Sequence, residues 1–212
     1  MGASRRRSNS GRTTRVVRKE RSHALIVAQA ARLFRERGIE GASVDEVMAA
    51  AGLTRGGFYA HFEDKTQLVA EAIRYAFDGA VENLFGPDMP TEPAAWRERA
   101  VRRYLSERHL DNPGDGCAAT SLGTDAARSD QPVRDAMRQQ VERVFRELER
   151  RMGGDPTTAR QRAISLLSTC VGAMTLARAV GDRSTAREIL GACREELQSD
   201  HEPGREPLRK NN

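Results

Sequence analysis

The chain has 212 residues, 38% hydrophobic and 31% charged, which fits a globular protein with a charged surface. No apolar run approaches the roughly 20 residues that a membrane-spanning helix needs. The net charge of +5 is uneven: residues 1–21 hold seven Arg and one Lys against one Glu, a net of +7, so the rest of the chain sums to −2.

The N-terminal segment MGASRRRSNSGRTTRVVRKER is basic but lacks the apolar core of a signal peptide, so a cytoplasmic protein is expected. Residues 1–17 read as a disordered basic arm suited to a polyanion. A solubilising tail is the plainer alternative. A membrane surface is the weakest reading, because no apolar helix face accompanies the charge. Cys117, Cys170 and Cys193 are odd in number and widely spaced, which indicates neither a disulfide framework nor a zinc site. No metal or cofactor is expected.

Strand signals are scarce, and the punctuation predicts an all-α chain of about nine helices. The first runs from about Arg18 to Arg37, with Ile26, Ala30, Leu33 and Phe34 on one stripe and Gly38 as its stop. The second opens at Ser43, where Ser43 and Glu46 form a capping box, and Gly52 breaks it. Thr54 can cap a third, short helix ending near Phe62. Asp64 can cap a fourth that reaches about Phe85. GPDMPTEP (86–93) is a turn-rich linker. A fifth helix is expected over about 93–110, a sixth over 117–128, a seventh from Asp130 and Pro132, an eighth over 157–180 and a ninth over 184–198. From His201 onward the chain reads as a flexible tail.

Residues 43–62 form helix, break, helix, the size of a helix-turn-helix unit with its Gly-containing turn. On a helix, Phe58 and Phe62 can face inward together, while Arg55 and Tyr59 share another face. Such a unit, behind a capped helix and a basic arm, suits groove reading. Gly56 and Gly57 are unusual there, because glycine costs about 1 kcal/mol against alanine inside a helix.

The stretch from about Arg21 to Ala72 resembles the DNA-binding domain of the TetR family of one-component transcriptional regulators. Ile26, Ala30, Leu33-Phe34, Gly38, SVDEV (43–47), Ala51-Gly52, Thr54, Gly56, Phe58-Tyr59, His61-Phe62, Lys65 and Leu68 carry the resemblance, about a quarter of the chain without gaps. The resemblance implies a helix-turn-helix domain over 18–65 and a helical ligand-binding and dimerisation domain over 66–200, ahead of the tail at 201–212. It also implies a homodimer that binds a near-palindromic, double-stranded DNA operator and is released by a small-molecule effector, with no membrane partner.

By position, Ser43, Thr54, Arg55, Gly56, Tyr59, His61 and Lys65 match sites that the family uses on DNA. Ser43 and Thr54 can meet phosphate at helix N-termini or serve only as caps. Arg55 can reach guanine or lie solvated. Tyr59 can present its hydroxyl to phosphate or be a core tyrosine. His61 sits where a helix dipole favours a cation. Lys65 lies in a first turn, where a cation is disfavoured unless phosphate is near. Gly56 would allow close backbone approach to DNA.

Under the same resemblance, Trp96, Tyr104, Met137, Val141 and Phe145 are bulky groups that could enclose an effector; a core stripe is the alternative. Cys117 follows DNPGDG and opens a helix, where a thiol gains reactivity. Electrophile-sensing members of the family look similar around Gly116-Cys117, although Asp111 and Asp115 oppose a thiolate. Ile164, Leu167, Val171 and Met174 are spaced 3-4-3, and Ala186, Leu190, Cys193 and Leu197 are spaced 4-3-4. Two such helix pairs could build a four-helix dimer interface; intramolecular packing is the alternative. The leading expectation is therefore a ligand-responsive repressor and no enzyme. A redox- or electrophile-sensing repressor acting through Cys117, a thiol-dependent enzyme and a nonspecific nucleoid-binding protein are the competing readings.

Overall fold

The computed structural model describes residues 7–199, with side chains from Val16 onward. Among the described residues there are nine α-helices, two 3₁₀ turns and no strand. The basic residues before Arg7 and the tail expected from His201 lie outside them. No helix among them is long and apolar enough to cross a membrane.

Helix α1 (Arg7–Arg37) starts well before Arg18, so residues 7–17 continue the helix where a disordered arm was expected. Extending an existing helix costs far less than nucleating one, and no proline interrupts the segment. Gly38, at φ +79°, ends α1, and its N–H meets the Phe34 carbonyl. Helix α2 (Val44–Ala50) opens on the expected capping box, and Gly52, at φ +71°, turns the chain out of it.

The 3₁₀ turn η1 (Arg55–Ala60) replaces the expected third helix. Gly57 N–H donates to the Thr54 carbonyl at 3.0 Å and His61 N–H to the Phe58 carbonyl at 2.8 Å. These bonds are the tighter pattern that short, poorly helical pieces adopt. The Thr54 side chain makes no capping bond; its carbonyl, not its hydroxyl, satisfies the turn.

Helix α3 (Lys65–Phe85) is capped by Asp64, as expected. The single helix expected over 93–110 is two, α4 (Pro93–Tyr104) and α5 (Glu107–Asp111). The break lets Leu105 bury completely, while Ser106 turns its hydroxyl onto the Arg103 carbonyl and accepts from His109 N–H. Such local bonding competes with helix continuation. The turn η2 (Pro113–Asp115) then leads to α6 (Ala118–Arg128), α7 (Gln131–Met152), α8 (Pro156–Ala179) and α9 (Arg183–Ser199).

Helices α1 and α2 with η1 make an N-terminal head, and α4–α9 make a body. Helix α3 belongs to both, packing on α1 and on α7. The expected boundary at 65/66 is therefore no break in packing: one core runs from Ile26, Phe34, Met48 and Phe62 through Leu68, Ile73 and Phe77 to Trp96, Leu122 and Leu190. Full burial of one such side chain contributes about 1.5–3 kcal/mol. Arg160 pins α8 to α7 through Glu142 and Glu149, and Arg183 and Arg187 pin α9 to α5 through Glu107.

Candidate nucleic-acid interface

The head presents one polar surface from α2, η1 and the start of α3. Ser43 accepts from Glu46 N–H at 3.2 Å and gives its own N–H and hydroxyl to the Glu46 carboxylate, both at 2.8 Å. The Ser43 main-chain bond, first, and its hydroxyl hold the Glu46 carboxyl below its ordinary range. The capping role of Ser43 is thus filled, and its side chain still faces solvent.

Phe58 and Phe62 stack at 5.5 Å inside the head, with Phe62 also stacked on His23 at 4.6 Å. They anchor η1 and leave its other residues outside. Tyr59 is 75% exposed, which removes the core-tyrosine alternative. The Arg55 side chain is 74% exposed and donates to Asp45 of α2 at 2.7 Å; it is surface-held rather than freely solvated. In a 3₁₀ turn a step of four residues advances about 120° past a full turn. Arg55 and Tyr59 therefore do not share the single face expected of an α-helix.

A Cβ built on Gly56 meets nothing within 4 Å, and one on Gly57 meets only the Met48 methyl at 3.6 Å. Neither glycine has positive φ. The fold requires neither of them, and the space over Gly56 lies open. Lys65 pairs loosely with Glu40, at 3.8 Å, so a protein carboxylate already offsets its unfavourable place in the first turn.

His61 departs from expectation. Its Nδ1 is buried without a partner. Burial, then His23 and Lys19, pull its pKa down, so the ring is neutral near pH 7, not the cation expected. The turn is too short to supply a strong dipole, and two basic neighbours oppose the charge. His23, which pairs with Glu71 at 2.7 Å and links α1 to α3, was not among the expected site residues. Its only sequence signal was a histidine on the apolar side of α1.

Residues 26–72 match the family model for bacterial regulatory proteins, tetR family. Over this stretch, the head of the chain, the match is to the TetR family. The HTH-type transcriptional regulator EthR of Mycolicibacterium smegmatis is 32% identical over 134 residues, 60% of this chain and 57% of that one. The other curated relatives that it matches are spanned over 26% to 58% of their length. A TetR transcriptional regulator from Chloroflexus aurantiacus superposes with a TM-score of 0.70 at 22% identity, over 86% of this chain and 94% of that one. AibR, solved with isovaleryl coenzyme A and operator DNA, superposes at 0.58 and 21% identity, over 83% and 97%. These structural likenesses show the TetR fold.

In the body, the six expected ligand residues have different surroundings. Of these, Tyr104 and Cys117 line one cavity, of about 240 Å³, with Leu84, Arg103, Arg108 and His109. Trp96 is instead core: it stacks on Phe85 at 5.4 Å and donates to the Leu84 carbonyl. Met137, Val141 and Phe145 are half-buried along α7, with Arg160 over the Phe145 ring. Their spacing marks a packing stripe.

Beside the cavity, Cys117 N–H donates to His109 Nε2 at 3.1 Å, which assigns the ring proton to Nδ1, donating to the Tyr104 carbonyl at 2.7 Å. Burial lowers the His109 pKa, against that bond, and Arg178 adds to the lowering. Burial raises the Tyr104 hydroxyl well above its ordinary value. Cys117 is itself buried, unlike an open reactive thiol. Burial pushes the Cys170 thiol up to about 12. No cluster of three His, Cys, Asp or Glu among the described residues is placed to hold a metal.

The expected interface stripe divides. Met174, Leu190 and Leu197 are buried in the chain's own core, because α8 packs on both α7 and α9. Leu167, Val171 and Cys193 are half-buried, and Ile164 is 40% exposed. Leu176, outside the expected set, is 58% exposed. Between Ala163 and Ala177 α8 carries no charged residue, and its exposed side mixes Ile164 and Leu176 with Ser165, Ser168 and Thr175.

Proposed function

We propose that this TetR-family regulator is a homodimeric transcriptional repressor that binds a near-palindromic operator through η1 and its flanks. One observation carries the reading: Thr54, Arg55, Gly56 and Tyr59 stand outside the core on a turn that Phe58 and Phe62 anchor from within. Arg55 would exchange its exposed pair with Asp45, worth little in water, for a base edge. Tyr59, Ser43 and Lys65 would meet phosphates, and Thr54 and His61 would flank them. Gly56 would let the backbone approach the groove.

The outer side of α8, with Ile164, Leu167, Val171 and Leu176, would pair with its copy. A small-molecule effector in the cavity at Tyr104 and Cys117 would favour a head spacing that does not fit half-sites about 34–36 Å apart. It must prefer that arrangement, since equal binding to both shifts nothing. The protein would work in the cytoplasm, without catalysis.

Selection from a random duplex pool, followed by binding at two salt concentrations, tests the reading. A palindromic consensus whose preference survives higher salt is expected. Affinity without sequence preference that collapses with salt would mark phosphate-only contact and overturn it.

A further inference from the structure

Two arginines meet at a second, larger cavity of about 520 Å³ between α1, η2, α6, α8 and α9. Arg35 donates through Nε, at 2.7 Å, and through Nη2 to one acceptor, the Gly114 carbonyl; its Nη1 is buried without an acceptor. Arg178 donates to Ser121 Oγ at 3.1 Å and to the His109 carbonyl at 2.6 Å; its Nε is likewise buried and unmet.

Neither forms an ion pair among the described residues, in contrast to Arg160, Arg183 and Arg187. Burial, the largest influence on each, lowers both guanidinium pKa values. The acids at the cavity wall are already engaged: Glu36 with Arg32 at 2.8 Å, Asp111 with Arg183 at 2.7 Å, and Asp182 with Thr185 N–H at 2.7 Å. Asp115, and more weakly Glu36, act on Arg35 without an ion pair.

Partly burying a cation without an ion pair is costly, and here two half-buried ones share one cavity with the hydroxyls of Thr120, Ser121 and Thr175. We propose that this cavity binds a small organic oxyanion, a carboxylate or phosphate ester, between Arg35 of the head and Arg178 of the body. The volume falls in the range of small-molecule sites and leaves room for an organic portion beyond the anionic group. The site is separate from the cavity at Cys117 and does not depend on DNA binding.

The test uses the full chain alone. Its melting temperature is followed against inorganic phosphate and, in a parallel arm, succinate, each at ionic strength matched with sodium chloride. A saturable rise beyond the chloride control is expected, and the stronger arm names the anion class. In Arg35→Gln and Arg178→Gln half-saturation should move up by about tenfold, the scale of one lost charge-assisted bond. Arg160→Gln, an arginine outside the cavity and paired with Glu142 and Glu149, should respond as the parent does. Arg35→Lys controls for structural damage, because it loses the fork to Gly114 yet keeps the charge and should retain most of the response. No rise beyond chloride, or an equal rise in the Arg35→Gln variant, would overturn the proposal.

Discussion

Asp125 of α6 accepts the main-chain N–H of Ile39 at 2.9 Å, tying the body to the first residues beyond α1. The same carboxylate oxygen lies 3.0 Å from where a Cβ on Gly38 would stand. The chain thus leaves α1 through a left-handed glycine and is caught at once by the body. Asp125→Ala would leave a half-buried N–H unmet, a loss of about 1–3 kcal/mol. Urea denaturation should show the midpoint falling at constant slope, while Asp125→Asn, which keeps an acceptor, should lose much less.

Gly56→Ala separates fold from function. The added methyl meets open space, so stability should hold or rise by up to about 1 kcal/mol. DNA affinity should nevertheless fall. Unchanged affinity for the selected duplex would remove the close-approach role.

For Arg55, the exposed pair with Asp45 predicts a stability change within about 0.5 kcal/mol on Arg55→Ala. Discrimination at one or two base positions should drop by about 1–3 kcal/mol. Competition binding against single-base variants of the selected duplex reads this directly, and an unchanged preference order would reject base reading by Arg55.

His109 gives a pH signature. Its folded pKa lies below the ordinary 6.5, so between the two values the unfolded chain binds more protons than the folded one. Stability is then fully present above about pH 6.5 and is lost as pH falls from there toward the folded pKa. His61, also lowered, adds a contribution of the same sign. The diagnostic is therefore a difference: His109→Gln should flatten the decline in unfolding free energy as pH falls below about 6.5. An identical slope in both proteins would contradict the neutral, buried ring.

Ile164 and Leu176 lie on the outer side of α8, away from the core. Ile164→Glu combined with Leu176→Glu should leave the chain helical by circular dichroism and shift its sedimentation from dimer to monomer. A dimer that persists would place the interface elsewhere.

Features whose cause is local were legible in the sequence. The Ser43–Glu46 box, the Asp64 cap, and the stops at Gly38 and Gly52 each need only a few neighbouring residues, and the TetR resemblance rested on that same stretch. Features set by tertiary packing were not. The break at Ser106 depends on Leu105 finding the core, and no apolar period announces it. In the same way, 3-4 spacing identified apolar positions on α8 without telling its inner side from its outer one, so Met174 and Ile164 received a single role. Contacts such as Arg35 to Gly114 join residues far apart in sequence and leave no local mark. His61 misled because dipole reasoning ignored the burial, and then the basic neighbours, that folding brings to it.

Helix α3 has a mechanical consequence. Its 21 residues make a rod of about 30 Å at 1.5 Å per residue, with Lys65 in the head and Phe85 in the body. A tilt of about 10° at the body end would carry the Lys65 end sideways by about 5 Å over that length. In the proposed dimer such a swing, doubled across two copies, would be a sizeable fraction of one turn of duplex, so a tilt of α3 at its seat on α7 would by itself change which DNA spacing the pair of heads can straddle.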